Sequence, residues 1–213
     1  MQRGICFIFC CVLLFGFYGC GEKQMQSDVS QCDAKPVIYL YPEERTNVQV
    51  RLNYTGKLSC TYPEYRDGWD VAAQPDGKLT DLFDGKEYSY LFWEGQSDAK
   101  WDFSKGFVIK GEDTAQFLQT FLPEIGLLPQ EYNEMIVYWL PRMQNNAYNL
   151  IAFQTERLEE RAALEITPAP DSVLRVFMAW KPLEETIEIP PQKFSTFRRT
   201  GFTVVEWGGV EVR

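Results

Sequence analysis

Residues 48–54 constrain the fold more than any other stretch. Val48, Val50, Leu52 and Tyr54 alternate with Gln49, Arg51 and Asn53, a period of two that buries one face of a strand and wets the other. Turn signals follow at short intervals, at Asp67-Gly68, Pro75-Asp76-Gly77 and Asp84-Gly85, so the natural arrangement is an antiparallel meander. Further β-rich runs fall at residues 37–41, bounded by Pro36 and Pro42, and at 88–93, 135–139, 150–154 and 202–207. Residues 173–180 are apolar on both alternating sets except at Arg175, the pattern of a central strand covered on both sides.

The period changes after Gly111. Asp113 can cap a helix, with Gln116 at its third position, and Phe117, Leu118, Phe121, Leu122 and Ile125 fall at helical spacing. Pro123 ends this helix near Leu122 or kinks it. A short charged helix is expected over residues 156–162, capped by Thr155. The fold class is therefore α+β: mostly antiparallel β, a sandwich-like meander, with one main helix and a few short ones.

Residues 1–31 read differently from the rest. Arg3 precedes an apolar run at residues 5–17, too short to cross a bilayer but suited to the core of a signal peptide. At its end Phe17-Tyr18-Gly19-Cys20 resembles the lipobox of bacterial lipoproteins. That resemblance implies cleavage before Cys20, diacylglycerol on its sulfur and acylation (palmitate-type) of the new amine. Ordinary secretion, with cleavage after Gly21, is the alternative. The polar stretch after Cys20 reads as a tether. A flexible coil of that length spans about 18 Å, which would hold the domain close over the headgroups. The expected organisation is a signal peptide at 1–19, a lipidated cysteine and tether at 20–31, and a single α+β domain at 32–213. The expected location is the bacterial cell envelope, membrane-anchored by lipid.

Cysteine usage agrees with export. With Cys6, Cys10 and Cys11 in the leader and Cys20 lipidated, Cys32 and Cys60 remain and are expected to pair, as cysteines of exported domains usually do. Such a bridge would be worth about 3–4 kcal/mol on the chain-entropy account.

Function classes narrow by subtraction. The chain contains no histidine, so a Ser-His-Asp triad, a Cys-His pair or an HExxH zinc helix cannot exist. Two thiols without histidine make an incomplete zinc site, and neither a metal nor another cofactor is expected. A net charge of −9 leaves no basic stripe for phosphates, so nucleic acid is not an expected partner.

One bias remains. Four tryptophans adjoin an acid, in Trp69-Asp70, Trp93-Glu94, Trp101-Asp102 and Glu206-Trp207. Trp69, Trp93, Trp101 and Trp207 are therefore candidate ligand-binding residues: indole faces suit sugar C–H groups and cations, and carboxylates suit hydroxyls and cations. A glycan or a cationic ligand is the expected partner, bound without catalysis. The alternative is a carboxylate glycoside hydrolase using Glu94 and Glu206, which would require the two carboxyls to flank one bond, about 5 Å or 6.5–9.5 Å apart.

Several stretches together, Ala34 to Glu43 (AKPVIYLYPE), Tyr62-Pro63-Glu64-Tyr65, Asp67-Gly68-Trp69, Phe92-Trp93-Glu94-Gly95 and Gly201 to Gly209 (GFTVVEWGG), resemble a family of exported bacterial proteins carrying KPVIYLYP near the start and GFTVVEWGG at the end. The resemblance implies export and a shared fold, and it brings no activity, ligand or catalytic residue.

Overall fold

The computed structural model describes residues 31–212. The expected signal peptide at residues 1–19, Cys20 and the expected tether up to residue 30 lie outside the described residues, and Gln31 opens the first strand. In chain order the elements are β1 (Gln31–Tyr41), β2 (Thr46–Tyr54), β3 (Lys57–Tyr62), β4 (Trp69–Ala73), β5 (Leu79–Asp81), β6 (Glu87–Tyr88), β7 (Leu91–Ser97) and β8 (Phe107–Lys110). Then follow α1 (Thr114–Ile125), α2 (Pro129–Met143), β9 (Tyr148–Phe153), α3 (Thr155–Arg161), β10 (Ala162–Thr167), β11 (Ser172–Leu183) and β12 (Thr203–Glu211).

The strands form two sheets. One runs β10-β2-β4-β5-β6 and the other β3-β7-β1-β12-β11-β9-β8. All pairings are antiparallel except β11 with β12. The α+β class and its antiparallel bias hold, and the turns at Gly68, Gly77 and Gly85 each use positive φ, which only glycine adopts freely.

Three layers result. The smaller sheet packs on one face of the larger through Val48, Val50, Leu52, Trp69, Leu91, Trp93, Phe177 and Val204. Helices α1 and α2 cover the other face, with Leu118, Leu122, Met135, Trp139 and Met143 meeting Val37, Met178, Val205 and Trp207. The strands at the centre are thus buried on both sides, which is why β11 and β12 read as continuous apolar runs.

Residues 135–139, expected as a strand, lie instead inside α2. Their β-branched and aromatic composition favours a strand locally, but the buried positions Glu131, Met135, Trp139 and Met143 recur every fourth residue, and that stripe is what the sheet covers. Pro129 occupies the first turn, where its missing N–H costs nothing. The Glu131 carboxylate accepts from the Leu128 backbone N–H at 2.7 Å. Pro123 does not stop α1, which continues to Ile125 and closes on Gly126 at φ 114.

The expected disulfide is corrected. Cys32 and Cys60 are both free and exposed. Cys32 pairs with Gln96 and Cys60 with Glu94, on opposite sides of β7. Two strand spacings amount to about 9.5 Å, beyond the roughly 7 Å Cα limit for a bridge. Partial desolvation where it meets the sheet, with the Glu94 carboxylate accepting from the Cys32 thiol, pushes that thiol up to about 11.

The two ends of the described chain meet at the centre of the larger sheet, where β1 pairs with β12. From Ala34 to Val37 three steps of β1 oppose two of β12, and from Asp33 to Val37 four oppose three of β7. One extra residue is therefore inserted, a β-bulge. Pro36 nestles against Gly208, where a Cβ would come within 2.9 Å of the proline Cα. The proline of one motif and the glycine of the other are two halves of a single packing arrangement.

Candidate functional site

Alternation along β7 sends Leu91 and Trp93 into the core between the sheets and Phe92 toward the helices, so Glu94 belongs to the helix side. Glu206 lies on the opposite side. It is 0% exposed, takes the Arg175 Nε at 2.6 Å and accepts from the Trp93 indole N–H at 2.9 Å. Arg175 also donates to the Ala162 carbonyl at 2.7 Å. A carboxylate so enclosed is a structural anchor. Glu94 and Glu206 face different layers and cannot flank one bond, so the catalytic pairing expected as the alternative is not formed.

The tryptophans are corrected in the same way. Trp69, Trp93 and Trp207 are buried, and a ring stacks on a ligand only through an open face. Trp69 donates to the Pro63 carbonyl at 2.9 Å and meets Tyr65 edge-on. Trp101 alone among the four is half-buried, and it is stacked on Phe177 with centroids 4.9 Å apart.

Beside Trp101 lies a second polar cluster. Asp33 is 1% exposed and its Oδ2 accepts from Tyr54 at 2.5 Å and Ser97 at 3.2 Å. Burial raises its pKa, partly offset by those hydroxyls and by Arg161. Asp33 Oδ1 and the Arg161 Nε and Nη2 are buried without a hydrogen-bond partner among the described residues. Gly95 is required here because a Cβ would run into the Tyr54 ring.

The bulge in β1 turns a charged side chain into an aromatic surround beside an open groove. Lys35, at its centre, has φ 55, a left-handed backbone that a residue other than glycine adopts at a cost of about 1 kcal/mol or more. The extra residue turns Lys35 onto the helix-covered face. Its Nζ donates to Tyr90 Oη at 3.2 Å and lies 5.1 Å from the Tyr90 ring centroid, 5.9 Å from Phe92 and Tyr138, and 6.0 Å from Trp207. Each ring is within cation–π range.

A groove of about 500 Å³ opens at this point, lined by Lys35, Tyr90, Asn133, Glu134, Val137, Tyr138, Pro141 and Arg142. Arg142 stacks over Tyr138 at 4.3 Å. Glu134 is engaged by Tyr39, whose hydroxyl donates to it at 3.2 Å, and burial followed by this carboxylate pushes the Tyr39 phenol well above its ordinary range. Val137 is 73% exposed, an apolar lip on the outer face of α2. Burial also raises the Tyr138 pKa, opposed by Arg142 and assisted by Glu94.

Lys35 carries one sequence signal, a lysine and a proline directly ahead of the apolar run 37–41. Tyr138 and Arg142 carry none, because the composition of residues 135–139 favours a strand and Pro141 reads as its breaker.

No protein-family model matches the chain, and no solved structure matches it. Among curated proteins, the "Uncharacterized protein in bglA 3'region" of Butyrivibrio fibrisolvens is 44% identical over 98 residues, which span 44% of this chain and 97% of that protein. Identity of that degree over nearly the whole of the relative means that the chain belongs to the same family as this Butyrivibrio fibrisolvens protein.

Proposed function

We propose that the protein is an exported, lipid-anchored protein of the bacterial cell envelope whose domain holds a ligand in the Lys35 groove without transforming it. The observation that carries the binding role is the bulge. A strand forms without an inserted residue and without a left-handed lysine, and bulges near functional sites re-aim a side chain. Here the bulge supplies a cation within 6.0 Å of four ring centroids in the lining of a groove within the size range of ligand sites. The anchor is supported by the lipobox-like Phe17-Tyr18-Gly19-Cys20 after its apolar run.

Intact mass of the membrane-extracted protein is expected to show loss of residues 1–19 and added acyl chains, with Cys20→Ala leaving the precursor uncut. A mature chain beginning at Glu22 without acyl mass would mean plain secretion. For the groove, the extracted full-length protein is expected to co-sediment with purified cell-wall sacculi, and Val137→Glu is expected to reduce retention by about tenfold. Position 137 is exposed, so the substitution leaves folding unaffected. Equal retention of wild type and V137E would refute the groove as the binding site.

A further inference from the structure

The chemistry of the groove selects among ligands. A cation is disfavoured because Lys35 already fills the aromatic surround that would receive one. An ammonium has three donors, and among the described residues Tyr90 takes one of them. Arg142, the second cation, is exposed; its Nη1 donates to the Tyr138 carbonyl, and the remaining N–H groups of the planar guanidinium suit a two-oxygen acceptor. Of the lining acids there is only Glu134, and Tyr39 donates to it. Tyr90 supplies a ring face for C–H groups, Val137 an apolar lip and Asn133 an amide for a hydroxyl, while the Tyr138 ring is already covered by Arg142.

We infer that the ligand is a carboxylate-bearing sugar, its carboxylate taken by Lys35 and Arg142 and its ring laid against Tyr90 and the Val137 lip. This rests on the binding role proposed for the groove and adds the ligand class to it. Positive charge in the groove stands out on a chain whose net charge is −9, and a charged acceptor facing two cations forms the stronger kind of hydrogen bond.

Calorimetric titration of the full-length protein in detergent tests this with digalacturonic acid, glucuronic acid and the dimethyl ester of digalacturonic acid. At least one of the two acids is expected to bind, the ester at least tenfold more weakly than its parent acid, and added salt to weaken the acid alone. Lys35→Met and Arg142→Met are each expected to weaken acid binding at least tenfold. Arg142 lies on the exposed side of the last turn of α2, so R142M keeps the test valid if K35M disturbs the bulge. Failure of both acids to bind, equal binding of acid and ester, or indifference to R142M would overturn the inference. Retention on sacculi that still depends on Val137 would then leave the groove as the binding site for a different ligand, whereas retention indifferent to V137E would remove the groove reading itself.

Discussion

Glu206→Gln is expected to destabilise the protein by about 3–5 kcal/mol, because it keeps the shape of the side chain and leaves Arg175 as an uncompensated buried charge. In a domain of this size such a loss lowers Tm by roughly 6–20 °C. Arg175→Met should cost a similar amount, by stranding the glutamate instead. The double variant Glu206→Leu with Arg175→Met is expected to recover most of the loss, since an apolar pair of similar volume can replace a buried ion pair. Denaturant unfolding of wild type, Glu206→Leu, Arg175→Met and the double variant closes the cycle and isolates the coupling. A single variant within about 1 kcal/mol of wild type would show that the pair is hydrated, contrary to its burial.

Gly209→Ala is the second large effect. A Cβ there would sit 2.5 Å from the Met178 carbonyl oxygen and 2.8 Å from the Trp139 ring. The indole could swing aside, but the carbonyl belongs to β11, the parallel neighbour of β12, and can move only by breaking register. The expected loss is about 3 kcal/mol, the upper part of the range for overpacking, accompanied by a changed near-ultraviolet signal from Trp139 as α2 lifts from the sheet. Gly85→Ala provides the comparison. It meets nothing within 4 Å and bears only the strain of φ +72, so about 1 kcal/mol is expected. Equal costs at the two positions would contradict the close packing of α2 on β12.

Much of the architecture was legible because local and tertiary preferences agree. Alternation over residues 48–54 gives β2, and the unbroken apolar run around Arg175 gives the doubly covered β11. The exception at Arg175 was itself informative, since a charge at a central position needs a partner, and Glu206 directly across the parallel pair supplies it. Residues 135–139 failed because their composition prefers a strand while their burial period is helical, and the sheet that enforces the second is assembled from residues far away in sequence. Lys57–Tyr62, Phe107–Lys110 and Ala162–Thr167 lie in weakly patterned or short strands that only their neighbours define.

The site was less legible, for a related reason. Tryptophan beside an acid in sequence places the two on opposite faces of a strand, so the pair that forms, Trp93 with Glu206, joins residues 113 apart. Cys32 and Cys60 share a face yet are kept apart by the whole width of β7. The Lys35 groove depends on an inserted residue in β1, a glycine at 208 and six residues of α2. None of these is a motif by itself. They converge only when the start and end of the domain pair.

Amine labelling read by mass spectrometry tests the central claim directly. The full-length protein in detergent is treated with acetic anhydride, with and without saturating digalacturonic or glucuronic acid, whichever binds more tightly, and the acetylation rate of each lysine is followed. Lys35 is expected to react more slowly than the exposed Lys57, Lys78 and Lys100 in the free protein, because its Nζ is enclosed by four rings. With the sugar acid its rate is expected to fall at least fivefold further while theirs stay constant. A Lys35 rate that does not change on addition of the sugar acid, or a uniform change at all lysines, would contradict the account.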